Sequence, residues 1–467
     1  MKLGLLAILA AGVAHLGMTA SAGEGAAAGG QEATERKRPW TFMVYGAADN
    51  SADEPLVGFL NKVRRAIDND PGIELLLFID RSVKHRRVPN YLGEDFTGAR
   101  LYRLTKDKAE RLAGDSQMPE ITLDKDVEVD SANAKYVQQF IAWGKAHYPA
   151  ERYGLMIYSH ANGRSMCPDD QSHKEMGFAE LTDKAGAQER VDFLGLELCD
   201  MGGIEIAYQW RPGNGGFETD VLLAIPNAGP PLDWDRAFAR IRTPGHESRS
   251  GVALNPETMT AVDFGKLIIA EGHLGRQAAE KAGRGAEHES AGLYDLRRAE
   301  AVKTAVDALS VELAKADARD VVLELRGKGP KDAAMAYQPE GTNVDLYDLC
   351  RRIAACDRLP ERVRERAEGV MTALEGFVVA SFGMSGYKGF EGGKNGVYIV
   401  LPHDTRRFTQ SSGWYTPLEG ADKATGRLTF LRDGATPGNG SVENWFELLA
   451  LWFGESGDGQ RSRGYRP

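Results

Sequence analysis

"VDFLGLELCDMGGIEIAY", residues 191–208, is apolar at five of its first eight positions, then presents Glu197, Cys199 and Asp200, and then runs into the helical spacing of "IEIAYQW". A short, continuous apolar run bounded by polar residues reads as a strand buried on both faces. "YGLMIYSHANG", residues 153–163, has the same form and ends on His160. "WTFMVYGAADN" ends in a turn holding Asp49 and Asn50, "GIELLLFID" ends on Asp80, and "DVLLAIP" leads into the loop "PNAGPP". Helical patterns lie between these runs, among them residues 55–68 and the amphipathic "DSANAKYVQQFIAWGKAHYP", with Asp130 or Ser131 as its cap. Strands alternating with helices predict an α/β fold, a mostly parallel sheet flanked by helices. Functional residues in such a sheet gather beyond the carboxyl ends of the strands, where His160 and Cys199 both fall.

Around this core the chain divides by composition. Lys2, the apolar "LGLLAILAAGVAHLGM" and the small residues Ala20–Ala22 read as an export signal over residues 1–22. A Gly/Ala/Glu-rich tether is predicted over 23–38, a catalytic part over 39–252, a helix-rich part with one late strand ("NGVYIVLP") over 253–454, and a loose tail over 455–467. These features predict an exported protein, periplasmic or extracellular, with no membrane span once the signal is removed. The 42% of hydrophobic and 27% of charged residues exclude wholesale disorder. A net charge of −10 without a long basic block excludes nucleic acid as a partner. Four cysteines (Cys167, Cys199, Cys350, Cys356) are too few for a disulfide framework and lack zinc spacing. Cys350 and Cys356 read as unpaired thiols, and Cys167 has no assigned role.

A cysteine between a strand and a helix can gain acidity from the helix N-terminus, whose N–H groups can also bind an oxyanion. A histidine on a neighbouring strand end can move the protons. Singly, an apolar-flanked cysteine is more often a small core residue and a lone histidine a structural one, so spacing alone leaves both readings standing. "DSANA", "DVEVD" and "CPDDQ" do not match a calcium loop. No cofactor is required by the sequence; calcium is compatible with it but not indicated, and no metal ligands are assigned.

The anchors "YSHANG" and "ELCDMGGIEIAY", together with "WTFMVYGAADN", "YPAERYGLMIYSH", "NVDLYDLCRRIA" and "GVYIVLP", occur in an order that resembles the clostripain family of cysteine peptidases, relatives of caspases, gingipains and legumains. The likeness spans about residues 39–452. It implies a caspase-like fold and an endopeptidase acting on peptides or proteins. His160 would be the base and acid, Cys199 the nucleophile, and the N–H groups of Ala161 and Cys199 the oxyanion hole. Glu197 stands where the family usually has Asp and Ala161 where it usually has Gly. Glu197 precedes the nucleophile by two residues, so on a strand it would share the face of Cys199 and meet the substrate. Where relatives often carry acidic residues after the next strand, this chain has Asn227, with Asp233 and Asp235 a little later. The expectation is cleavage after Arg or Lys with reduced stringency. Self-processing between His160 and Cys199, at Lys174, Lys184 or Arg190, also follows from the resemblance. The alternative is a catalytically silent member that binds peptides or proteins through the same cleft.

Overall fold

The computed structural model describes residues 37–453, apart from 89, 91, 163–164, 184–188, 247–253, 328–333, 338–340, 408–427, 435 and 437–440. The predicted signal, most of the tether, the tail and Lys184 lie outside the described residues. The strands in chain order are β1 Arg38–Ala48, β2 Ile73–Arg81, β3 Gly98–Leu104, β4 Ala109–Leu112, β5 Ala150–Tyr158, β6 Ser165–Asp169, β7 Lys174–Gly177, β8 Arg190–Glu197, β9 Glu218–Ala224, β10 Ser290–Asp295, β11 Asn343–Asp345, β12 Val378–Gly383 and β13 Tyr398–Val400. The helices are α1 Asp53–Ile67, α2 Ala134–His147, α3 Glu180–Asp183, α4 Ile204–Gln209, α5 Trp234–Ala239, α6 Ala261–Lys281, α7 Ala299–Lys315, α8 Arg319–Arg326, α9 Leu346–Ala354 and α10 Glu361–Phe377, followed by Thr429–Arg432 and Trp445–Phe453.

Nine strands form one sheet in the order β12-β10-β9-β8-β5-β1-β2-β3-β4. The five from β9 to β2 run parallel, as the continuous apolar runs predict. Two antiparallel strands extend each edge. Neighbouring residues of β1 go to opposite cores: Met43 and Tyr45 join one apolar cluster, Phe42 and Val44 the other. Full burial of each such side chain contributes about 1.5–3 kcal/mol, so a sheet of this composition is stable only with helices on both faces.

The sheet takes strands from both sides of residue 253. The late strand expected in the C-terminal part is present as β13, but it pairs with β11 in a separate small sheet. That part also supplies β10 and β12 to the main sheet. The helix-rich reading of this part does not separate them, since runs as short as "SAGLYD" and "VVAS" carry no period long enough to tell strand from helix. The connection after His160 contains the β6–β7 hairpin, with Met166, Cys167 and Met176 buried. Asn133, rather than Asp130 or Ser131, caps α2.

Candidate active site

β5 and β8 are parallel neighbours whose register ends on the pair Tyr158↔Glu197. His160 and Cys199 each lie two residues beyond that pair, so the sheet brings both to the same edge. The Ser51 hydroxyl, in the turn after β1, lies 2.9 Å from His160 Nε2. The His160 carbonyl accepts from Cys167 N (2.9 Å), which fixes the strand end against β6. Cys167 therefore serves through its backbone, at a positive φ of 53°. Burial pushes its thiol up to about 12, so it is not a second nucleophile.

Cys199 is half-buried, and the Gly229 N–H reaches its sulfur. After it the chain reverses through Asp200 at φ 60°. That turn is held by Asp200 N to Asn227 O (3.0 Å), Met201 N to Ile225 O (2.8 Å), and Tyr398 Oη to Asp200 O (2.6 Å). Gly203 is required here, because a Cβ would collide with the Tyr398 ring. α4 begins only at Ile204. The helix-terminus effect fades within one turn, so the acidity expected for Cys199 from that source is absent. Desolvation first, with the charges of Asp200 and Glu197, pushes its thiol above the ordinary value, and Gly229 opposes them. The His160 ring keeps contact with solvent, yet desolvation and then the charge of His85 hold its pKa below the usual one. Both shifts favour the uncharged forms, a thiol at Cys199 and a neutral imidazole at His160. The N–H groups of Ala161 and Cys199 donate to no group among the described residues. Ala161 has no positive φ, so replacing glycine there costs nothing.

The expected substrate-binding residues sit differently from the reading of the sequence. Glu197 is buried at the end of β8. Its carboxylate accepts from Leu232 N (3.1 Å) and, through a short bond, from the Trp234 indole. Burial pushes it up to about 7. It shares no exposed strand face with Cys199, because β8 ends before Cys199 is reached. Asn227 is a strut: its amide donates to His288 O (2.5 Å) and its Oδ1 accepts from Ser290 Oγ (3.2 Å). Asp233 is half-buried, with Arg276 Nη1 at 4.0 Å. Asp235 is partly exposed in the first turn of α5.

Sequence reasoning missed Ser51, His85, Trp234 and Arg276. Arg276, on α6, donates to the carbonyls of Pro230 and Pro231 (2.8 Å each) and pairs with Glu289. It thereby clamps the loop whose Gly229 faces the Cys199 sulfur. Gly195 lets Trp234 pass beneath β8 to reach Glu197, since a Cβ would strike the indole. None of these contacts has a local sequence signal.

Residues 44–445 match the model of the clostripain family of peptidases. Clostripain of Hathewaya histolytica is 31% identical over 466 residues, covering 90% of this chain and 88% of that protein. The chain belongs to the clostripain family of cysteine peptidases. Two solved structures share its fold. An inactive zymogen C11 protease from Parabacteroides distasonis has a TM-score of 0.53 at 16% identity, covering 82% of this chain and 97% of that one. A secreted C11 cysteine protease from Bacteroides thetaiotaomicron, in complex with an irreversible peptide inhibitor, has a TM-score of 0.53 at 17% identity, covering 83% and 98%. The family resemblance and the caspase-like architecture read from the sequence both hold. No helix among the described residues is long and apolar enough to cross a membrane.

Proposed function

We propose that this clostripain-family peptidase is an exported endopeptidase with a His160–Cys199 dyad, cleaving after Arg or Lys with reduced stringency. The observation that carries the dyad is the β5–β8 register, which ends two residues before both side chains. Cys199 Sγ attacks the scissile carbonyl and a C–S bond forms while the thiol proton passes to His160. The free N–H groups of Ala161 and Cys199 receive the oxyanion; a donor of this kind contributes about 10²–10³ in rate. The C–N bond then breaks as His160 returns the proton to the leaving amine, and water cleaves the thioester.

Glu197, Asp233 and Asp235 supply the negative charge for a basic side chain, with Asn227 supporting the loop from behind. Arg276 already draws on Asp233, which supports a weaker preference than two free carboxylates would give. The N-terminal signal pattern and the secreted Bacteroides relative support export. The zymogen described from Parabacteroides supports self-processing between His160 and Cys199. Lys174 and Arg190 lie in strands, in ion pairs with Asp130 (2.7 Å) and Asp220 (2.6 Å), so Lys184 is the favoured position.

The test is a mixed peptide library, read by mass spectrometry, with wild type and Cys199→Ala. Wild type should cut mainly after Arg and Lys, and Cys199→Ala should lose about 10⁴-fold or more of that activity. Intact mass should show an internal cut in wild type alone. Full activity in Cys199→Ala ends the dyad, a preference for apolar or acidic residues ends the basic pocket, and no turnover in wild type favours a silent peptide-binding member.

A further inference from the structure

The residue that carries the nucleophile belongs to neither a strand nor a helix. β8 ends at Glu197 and α4 begins at Ile204, so Cys199 hangs in the segment between them. Behind Cys199 that segment is held by the Glu197 carboxylate, which takes Leu232 N and the Trp234 indole. Ahead of it the chain is held from the C-terminal part. Tyr398, on β13, donates its N–H to Gly202 O (3.0 Å) and its hydroxyl to Asp200 O (2.6 Å), and bridges Gly203 in parallel. Val400, further along β13, donates its N–H to Glu205 Oε1 (2.9 Å) in the first turn of α4. Tyr398 is completely buried. β13 is itself fixed: β11 pairs with it, buried Asp345 accepts from Asn395 Nδ2 (2.7 Å) and Gly396 N (2.9 Å), and the Trp445 indole donates to Val400 O (3.0 Å). Asp200 sits at φ 60°, in left-handed backbone that a residue with a side chain adopts rarely and keeps only where its surroundings impose it.

We propose that Tyr398 is a positioning residue for the nucleophile: its hydroxyl, by holding the Asp200 carbonyl, keeps the left-handed turn closed and so aims the Cys199 N–H at the oxyanion. The inference rests on the His160–Cys199 reading given above. A peptide unit is planar, so fixing Asp200 O fixes the plane that joins residues 200 and 201, and Asp200 N on Asn227 O (3.0 Å) fixes the plane before it. With Glu197 held on the other side, Leu198 and Cys199 keep little backbone freedom. An oxyanion is stabilised by donors that stand at its position in advance, so slack at Cys199 weakens the transition state more than the bound substrate. Removing the Tyr398 hydroxyl takes away that donor and lets the turn relax out of the left-handed region. Gly203 belongs to the same clamp, since a Cβ there would collide with the Tyr398 ring. The helix-rich C-terminal part thus contributes to the chemistry through β13, although it supplies neither reacting side chain. Tyr398 and Asp200 are 198 residues apart, so no local pattern links them.

The experiment compares the full chain of wild type with Tyr398→Phe, which keeps the ring against Gly203, and with Tyr45→Phe. Tyr45 is a completely buried tyrosine of β1, a strand separated from β8 by β5, and its hydroxyl likewise donates to a main-chain carbonyl, that of Ser131 (2.8 Å). Both changes should lower the Tm by a similar small amount, since each removes one buried hydrogen bond. Three readings are taken. They are kcat and KM on a fluorogenic peptide chosen from the library cleavages, inhibition by the aldehyde of the same peptide, whose adduct with the thiol carries the oxyanion, and the rate at which iodoacetamide alkylates Cys199, which needs no oxyanion. Tyr398→Phe should lose about tenfold in kcat, a fraction of the 10²–10³ carried by an oxyanion donor, with KM changed by less than about twofold, and should bind the aldehyde about tenfold more weakly. Alkylation should stay within about twofold of wild type, and Tyr45→Phe should match wild type in all three readings. Unchanged kcat in Tyr398→Phe would overturn the clamp and leave the dyad in place. An equal fall in Tyr45→Phe, or in the alkylation rate, would also overturn it, by showing a general loss of packing. Turnover retained in a parallel Cys199→Ala chain, or absent from wild type, would overturn the dyad and the clamp together.

Discussion

The two strand ends that meet at the site are held in opposite ways. Behind Cys199, acids and bases are matched within the chain: Arg276 serves Glu289, Asp233 and two loop carbonyls, and Glu197 takes Leu232 N and Trp234. Behind His160, Asp49, Asp80, Glu128 and Asp169 face one another with no basic partner among the described residues. The nucleophile is positioned by bonds that folding alone completes. The histidine end carries a charge imbalance that the described residues leave uncompensated. Removing a charged group should therefore have opposite consequences at the two ends.

The largest effect is expected behind Cys199. Arg276→Ala strips the positive charge from Glu289 and Asp233 and frees the Pro230–Pro231 carbonyls. Removing one member of a largely buried pair typically destabilises by about 3–5 kcal/mol; because Glu289 and Asp233 keep some solvent contact, about 3 kcal/mol is expected here. Urea unfolding of the Cys199→Ala background with and without Arg276→Ala measures it. A loss below about 0.5 kcal/mol, the range of ordinary surface substitutions, would break the contrast by showing that this end is not held from within.

Much of this was legible in the sequence, and what was not has a common cause. Continuous apolar runs mark β1, β2, β5, β8 and β9, and two of them end on the residues assigned to the chemistry. Burial on both faces writes itself into composition, so these strands could be read one at a time. β10 and β12 could not, since each is six residues long and abuts a helix. Arg276, Ser51 and Trp234 matter through partners tens of residues away, and a hydrogen bond across that distance leaves no period or motif. Glu197 is expected in the substrate pocket from its place two residues before the nucleophile and Asn227 from the family resemblance; both also have buried partners within the chain that no local pattern shows. The acidity expected for Cys199 failed on five residues of spacing, the distance from the thiol to α4.

A smaller effect concerns the charge state of the two ends. Burial, with Asp200 and Glu197, holds the Cys199 thiol above its ordinary value of 9.0, and His160 lies below its ordinary 6.5. A raised thiol pKa keeps the reactive thiolate scarce below that pKa. Alkylation of the resting enzyme by iodoacetamide should thus rise about tenfold per pH unit between pH 6 and 9, without a plateau. The rate is read from mass spectra of the Cys199 peptide. A plateau below pH 8 would reveal a preformed thiolate–imidazolium pair, and the two ends would then be electrically one unit.

The smallest effect sharpens the comparison from the His160 side. Desolvation, with the charges of Asp49 and Asp169, raises Glu128 from 4.5 to about 7. The folded chain then holds a proton that the unfolded chain has already released between those values, so this group's contribution is fully present below pH 4.5 and is lost as pH rises through about 7. Glu128→Gln cannot lose it. The variant should match wild type near pH 4 and be modestly more stable at pH 8, the reverse of Arg276→Ala. Thermal unfolding of both proteins in the Cys199→Ala background at the two pH values gives the comparison. A Glu128→Gln protein less stable than wild type at pH 8 would mean that the acids already have their counter-charge within the chain, and the two ends would be built alike.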